Sequence, residues 1–413
     1  MTDSFLIINA RVPHFQGLQD IWVRDGVIRA LHNSKENADH PVASTVRSTD
    51  LPILDVAGDW VSLGGVDLQI NGALGLAFPD LNFQNIHSLD AICQFLWSQG
   101  VDGFLPTIVT TSIENIQRSL AALSTKCTLK RNGAAPPTKS AAYSDPTSQI
   151  LGVHLEGPFL NPQKRGAHPE KHLLPLSVEQ IKRVLGDYGS VVKVITLAPE
   201  LDPTGDAIAY LRSLDITVSL GHSQATTTQA QQAFAQGASL VTHAFNAMPS
   251  LHHREPGLLG AAISAGHNNR GTPPVQCSLI ADGQHVSTIM MDILLRASRY
   301  DEGIFLVSDA LAPLGLPDGR YPWDDREIEV INGTARLLDG TLSGTTLPLL
   351  VGVQNLVRWQ ICEVEAAIAL ATTAPRRAIA LPSSYLHQPA HLLRWGIDAD
   401  SHHLTWQRIT PKF

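Results

Sequence analysis

The sequence predicts an α/β protein: a (β/α)8 barrel with a small β domain built from both chain ends. Eight runs that are apolar throughout recur between about residues 62 and 313, close to the roughly 250 residues such a barrel needs. Runs of that kind suit strands covered on both faces, as in parallel sheets. The first sixty or so residues instead alternate in a β manner, and the tail returns to strand character.

In chain order, "FLIINARV", "DIWVRDGVIRALH" and "PILDVAGDWVS" read as short strands joined by turns, with Asp25-Gly26 a hairpin signal. The barrel runs follow: "SLGGVDLQI", "GVDGFLPTIVT", "ILGVHLEGPF", "VVKVITLAPE", "DITVSLGHSQA", "ASLVTHAFNAM", "VQCSLIADGQHV" and "GIFLVSDALAP". Helix-like stretches separate them. After Gly221-His222, "SQATTTQAQQAFAQGA" predicts a helix with Ser223 as N-cap and Gly237 as stop. "EVEAAIALATTAPRRAIAL" predicts two helical pieces broken at Pro375. The tail "HLLRWGIDADSHHLTWQRI" is expected to pair with the N-terminal strands. The expected division is 1–62 and 381–413 for the small domain and 63–380 for the barrel. The stretch "KRNGAAPPTKSAAYSDPTSQ", residues 130–149, is rich in Pro, Ser, Ala and Lys and reads as an exposed insertion.

The 413 residues carry a net charge of −8 with no basic run, which argues against a nucleic-acid or anionic-membrane binder. An anionic small substrate stays compatible, because a site needs only one or two local cations. Cys93, Cys127, Cys277 and Cys362 lack CxxC spacing. They predict buried thiols in a reducing compartment, with neither a disulfide framework nor a thiolate metal site. "MTDSFLIINARV" has no basic leader and only a short apolar run, so no signal peptide or membrane span is expected. The expected location is the cytosol.

Several barrel runs end on a polar residue: Glu156 in the third, His222 in the fifth, His243 in the sixth and Asp309 in the eighth. Barrel active sites lie at the C-terminal strand ends, so these four should converge. Two imidazoles and a carboxylate suit a divalent metal, and catalytic zinc often takes three protein ligands and leaves a fourth place for water. Asp309 is the candidate general base and then acid. Each has a plainer alternative. A strand-end histidine is often only hydrogen-bonded, Glu156 could pair with Arg165, and Asp309 could cap the following segment.

The motifs "HLEGPF", "GAHP", "LGHSQA", "THAFNAM", "HREPGLLGA", "ADGQHV", "VSDALAP" and "LSGTTL" resemble, in that order, those of the N-acetylglucosamine-6-phosphate deacetylases of the amidohydrolase superfamily. The resemblance runs from about Gly64 to Leu381. It implies a metal-dependent (β/α)8 barrel with a small β-sandwich, a phosphosugar substrate, a homodimer, and hydrolysis of the substrate's acetamide. It also implies roles. Glu156, His222 and His243 match the metal ligands, and Asp309 the catalytic acid/base. Ala167 and His168, in "GAH", match substrate contacts, with His168 reaching the acetyl carbonyl. Asn246 and Ala247 match residues around the sugar phosphate, and Arg254 the phosphate-binding arginine. Asp282, Gly283 and Gln284 lead into His285, another substrate contact. Leu342, Ser343 and Gly344 match a loop lining the sugar pocket.

Many members of the superfamily carry an HxH pair on the first strand, which holds a second metal. Here Gln69 and Asn71 stand in its place. Amides bind transition metals more weakly than imidazole, so one ion per subunit is expected, zinc or ferrous iron. Gln69 should line that side or reach a bound water. His154, two residues before Glu156, should point to the same side as a supporting partner. His252, His253, His402 and His403 read as solvated. The rival readings are an N-acetylgalactosamine-6-phosphate deacetylase, a cyclic-amide hydrolase, an N-acyl-amino-acid deacylase, or a catalytically dead scaffold. The apolar "PGLLGAAISAG" could pack at a subunit interface.

Overall fold

The computed structural model describes residues 4–34, 51–127, 147–202, 204–268, 275–398 and 400–409. Most of the expected 130–149 insertion lies outside them. Alternation along each central strand builds the barrel. In Val153–Glu156, Val153 and Leu155 pack outward with the helices, while His154 and Glu156 face the interior. All eight expected runs contain a barrel strand: Gly65–Ile70, Val101–Val109, Val153–Glu156, Val192–Leu197, Thr217–Leu220, Leu240–Val241, Gln276–Leu279 and Ile304–Leu306. Neighbours pair in parallel around the ring. Closure comes from the Asp309 amide, which donates to Gln69 O at 2.9 Å, and the Asn71 amide, which donates to Ala310 O at 2.7 Å.

The interior is layered. At the bottom, Val66, Leu68, Leu105, Val194, Leu240, Ile280, Phe305 and Val307 form an apolar plug, capped by Ala374, Ala378 and Ile379. A buried polar layer lies above it, where His154 bonds Leu68 O and Thr196 Oγ1 and Thr196 in turn bonds Thr242. With both ring nitrogens engaged, His154 is the supporting residue expected.

The helices follow their strands, many begun by a serine or threonine whose oxygen accepts an amide proton. Ser112 caps Ile113–Ser124 and Ser287 caps Thr288–Ala297. The helix after the fifth strand, Thr227–Ala235, is capped by Thr226 rather than by Ser223. Thr226 and Gln229 form a reciprocal box, whereas the Ser223 hydroxyl donates to Glu200 at 2.7 Å. The late helices Val364–Ala371 and Thr373–Ala378 break at Thr372, not at Pro375. A proline cannot bond the carbonyl four residues earlier and clashes with it, so the interruption falls one turn upstream of Pro375.

Both chain ends build one seven-stranded sheet, in the order His403–Arg408, Leu392–Asp398, Trp60–Leu63, Phe5–Arg11, Leu18–Arg24, Val27–Asn33, with Ile53–Asp55 also on Phe5–Arg11. Its cluster of Phe5, Ile7, Ile21, Val23, Ile28, Val61 and Leu392 is distinct from the barrel's. This is the small β-sandwich unit expected from the termini. A second addition had not been expected. Gly319–Trp323, Arg326–Ile331, Thr334–Leu337 and Leu342–Thr345 form an antiparallel four-stranded sheet between the eighth strand and its helix, Leu349–Arg358. Asn332-Gly333, both at positive φ, turn one of its hairpins, a signal present in the sequence. Leu342–Gly344 thus belong to a strand, not a loop.

The apolar residues of "PGLLGAAISAG" turn largely towards the chain's own core, with Ile263 and Ala265 partly buried. Leu258, Leu259, Ala261 and Ala262 on the helix Gly257–Asn268 join the main core, against Thr227–Ala235. All four cysteines are free, and burial pushes each thiol up to about 12. Among the described residues, no helix is long and apolar enough to cross a membrane.

Candidate metal centre

The polar residues at the strand ends turn inward through unusual backbone. His222, His243 and Asp309 have φ of 48°, 30° and 47°, and Phe245 and Ala247 of 74° and 51°. Non-glycine residues seldom adopt this left-handed region, and such positions gather at functional sites. Here they aim three side chains across the barrel mouth.

His222 Nε2 and His243 Nε2 lie 3.1 and 3.0 Å from Glu156 Oε1 and 3.0 Å from each other. The His222 Nδ1–H donates to the Lys164 carbonyl at 2.9 Å, so a neutral His222 presents its Nε2 lone pair to the cluster. Three electron-pair donors face one point, an arrangement that requires a cation between them. In the protein groups alone a proton serves. Burial opposes charge on both groups. Even so, their contact holds the Glu156 carboxyl well below its ordinary range and lifts the His243 ring above its own. The His2Glu donor set, converging on one point, also fits a divalent metal. No other cluster of three such donors occurs among the described residues. Glu156 therefore does not pair with Arg165, which contacts Glu170 and the His168 carbonyl.

Gln69 and Asn71 donate into this cluster through their side-chain amides. Gln69 Nε2 reaches Glu156 Oε1 at 3.1 Å and Asp309 Oδ1 at 3.2 Å, and Asn71 Nδ2 reaches Asp309 Oδ1 at 2.8 Å. The amide of Gln69 thus ties the ligand carboxylate to the candidate base. Burial, with the Glu156 charge second, pushes the Asp309 carboxyl up to about 7. That range suits a group that must take and return a proton near neutral pH. The His168 ring is buried 3.9 Å from Glu156 Oε2, and burial followed by His222 lowers it to about 3, so it is neutral.

Comparison with known proteins fits this centre. No protein-family model matches the chain. A Bos taurus protein named N-acetylglucosamine-6-phosphate deacetylase is 34% identical over 390 residues, which covers 92% of this chain and 86% of the relative. The chain belongs to the N-acetylglucosamine-6-phosphate deacetylase family. An Escherichia coli O157:H7 relative named N-acetylgalactosamine-6-phosphate deacetylase is 31% identical over 357 residues, 86% of this chain and 84% of that one. The crystal structure of the Pasteurella multocida N-acetylglucosamine-6-phosphate deacetylase aligns with TM-score 0.77 and 26% identity, over 98% of this chain and 100% of that one. A Mycobacterium smegmatis deacetylase variant, solved in complex with N-acetyl-D-glucosamine-6-phosphate, shares the fold at TM-score 0.78 and 24% identity, over 97% of each chain. The amidohydrolase superfamily implies a divalent metal, and Glu156, His222 and His243 form the group that could hold it.

The deacetylase residues expected on the substrate side fall around this mouth to different degrees. His285 sits beside Asp309, its Nδ1 bound to Asp282 at 2.7 Å, while the Asp282 carboxylate also accepts the Gln284 and His285 amides. Gly283 has φ 76° and packs on Trp359. Gly344 lies against Asp309, where a Cβ would come within 2.7 Å of the Asp309 carbonyl. Leu342 and Ser343 precede it on the same strand. The Asn246 amide is turned back onto the His243 and Ala244 carbonyls, and the Ala247 carbonyl accepts from Ser223. Arg254 is exposed on the next loop with no side-chain partner among the described residues, and the His252 and His253 rings stack beside it, exposed as expected.

Two supporting residues escaped the sequence reading. Glu200, after the fourth strand, accepts from Asn161 Nδ2, the Gln224 amide and Ser223 Oγ, and so ties the chain just after His222 to the loop after the third strand. Arg326, from the inserted sheet, donates to the Ala167 carbonyl at 2.8 Å. Glu200 closes the fourth run, "VVKVITLAPE", a strand-end signal that the reading left unused, whereas Arg326 lies outside the barrel runs and only its folded contacts single it out.

Proposed function

We propose that this chain hydrolyses the acetamide of N-acetyl-D-glucosamine 6-phosphate to glucosamine 6-phosphate and acetate. The observation that carries the reading is the convergence of Glu156, His222 and His243 on one point, with Asp309 joined to it through Gln69. When bound there, a divalent ion would lower the pKa of water and polarise the acetyl carbonyl. Asp309 in its ionised form takes the attacking water's proton and later delivers it to the departing amine. His168 donates to the oxyanion that develops on the acetyl oxygen. Arg254, whose side chain has no partner among the described residues, offers a planar cation to the phosphate, and such remote binding orients the amide for attack. Asn246, Ala247, His285, Gln284 and the Leu342–Gly344 strand line the sugar. One ion per subunit, zinc or ferrous iron, and a cytosolic homodimer complete the proposal.

The test is a product assay on metal-reconstituted protein with N-acetylglucosamine 6-phosphate, its galactosamine epimer and the unphosphorylated sugar. Release of glucosamine 6-phosphate, lost without the phosphate and on chelation, is the expected result. Preference for the epimer would favour the second reading, which the name of the Escherichia coli relative supports. Equal turnover of the unphosphorylated sugar would remove Arg254 from its role. Metal analysis and light scattering test the ion count and the dimer.

A further inference from the structure

The ring of His168 is gripped from behind. Thr110 immediately follows the second barrel strand. Its backbone N–H approaches His168 Nδ1 at 3.4 Å, and its hydroxyl lies 2.9 Å from the same atom. A backbone N–H can only donate, so Nδ1 is an acceptor. A ring with a lone pair on Nδ1 is neutral and carries its single proton on Nε2. The Thr110 hydroxyl has one proton and two acceptors in reach, His168 Nδ1 at 2.9 Å and the Glu156 carbonyl at 3.3 Å, and the shorter contact takes it. Nε2 then faces the Glu156 carboxylate, 3.9 Å away, with the ring edge-on to His222 at 4.5 Å between centroids. Thr110 is itself buried, close under Gly157. Arg165 and Arg326 hold the His168 and Ala167 carbonyls from outside.

We propose that Thr110 is a positioning residue that locks His168 as the neutral Nε2–H tautomer. In that form His168 can donate to the acetyl oxygen and has no lone pair facing the reaction. It is thereby removed as a rival base, and proton transfer falls to Asp309 alone. The proposal rests on the reading of His168 as the donor to that oxygen.

The experiment uses metal-reconstituted protein labelled with 15N-histidine, in the wild type and as Thr110→Val, Thr110→Ser and His168→Ala, the last to assign the resonances. Long-range 1H–15N correlation reads the tautomer, and turnover of N-acetylglucosamine 6-phosphate reads its effect. The wild type should show the Nε2–H pattern at His168. Thr110→Val should shift that pattern towards a tautomer mixture and lower kcat about tenfold, a fraction of the roughly 10²–10³ lost when an oxyanion donor is deleted. KM should move much less, and Thr110→Ser should recover most of the loss. An Nδ1–H pattern in the wild type, or a valine variant with unchanged resonances and kcat, would overturn the proposal. Should the valine variant fail to fold, the wild-type spectrum and the serine variant still decide. Wild-type kcat in His168→Ala, which has no donor, would instead sink the donor reading of His168, while the spectrum reports on Thr110 separately.

Discussion

Two carboxylates of this barrel, Asp102 partly buried and Glu156 fully so, have opposite company. Asp102, at the bottom, accepts Arg408 Nη1 at 2.9 Å, Arg376 Nη2 at 3.3 Å and the Gly64 amide at 3.0 Å. Both arginines are further satisfied. Arg376 donates to the Gly64 and Thr372 carbonyls, and Arg408 donates to Trp97 and Val101 O while lying 3.4 Å over the Trp97 ring. Glu156, at the top, has only a glutamine amide and two imidazoles at its Oε1. Guanidinium charges are permanent, whereas imidazole charge comes and goes. The lower centre is therefore complete as folded and clasps the C-terminal hairpin to the barrel. The upper centre is balanced only with a proton or a metal between its donors, so it can exchange what it holds. One end of the barrel is built for stability and the other for chemistry.

The largest test of that contrast is Asp309→Asn at the top. It should lower kcat by about 10⁴, the upper range for a group serving as base and then acid, with the melting temperature of the metal-loaded protein little changed. Retained turnover would show that the upper carboxylates are structural. Next is Asp102→Ala at the bottom, which takes the carboxylate from one buried and one partly buried guanidinium group and should destabilise by about 3 kcal/mol, the low end for a broken buried ion pair, while the folded fraction keeps its kcat and KM. Denaturant unfolding and steady-state kinetics measure both. A loss of kcat without loss of stability would erase the distinction between the two ends.

Divalent metal should bind only the upper centre. At a hundredfold excess over Kd it should stabilise the protein by about 2.7 kcal/mol, more at pH 8 than at pH 6, because the ligands must shed protons to bind it. Equal stabilisation at both pH values would place the ion elsewhere. The rate has a related sign. Ionised Asp309 is the active form and its carboxyl is raised to about 7, so kcat/KM should fall as pH drops through its pKa. A bound cation moves that limb to lower pH. Gly344→Ala should have the smallest effect, about 1–3 kcal/mol from a crowded position at φ 149°. It should lower kcat as well, since the added methyl presses on Asp309. Thermal unfolding of the variant beside its turnover separates the two effects.

Much of the upper centre was legible before folding. A strand apolar throughout that ends on Glu156, and others followed by His222, His243 and Asp309, already imply convergence once eight such strands close. The lower centre was not legible, because Asp102 meets partners 274 and 306 residues away and nothing in local periodicity pairs them. The inserted sheet announced itself only through Asn332-Gly333. The break at Thr372 was placed too late because proline acts on the carbonyl one turn behind it.

The sequence by itself determined the number of barrel strands, the faces they bury, the union of both termini and which polar residues stand at the barrel mouth. These follow from the period of side chains along each strand, which is a local property. Tertiary structure alone decided that Gln69 bridges two carboxylates, that Lys164 O orients His222, that Thr110 sits behind His168 and that two arginines close on Asp102. Those depend on backbone turned to positive φ and on atoms brought within 3–4 Å by ring closure, which no local pattern encodes.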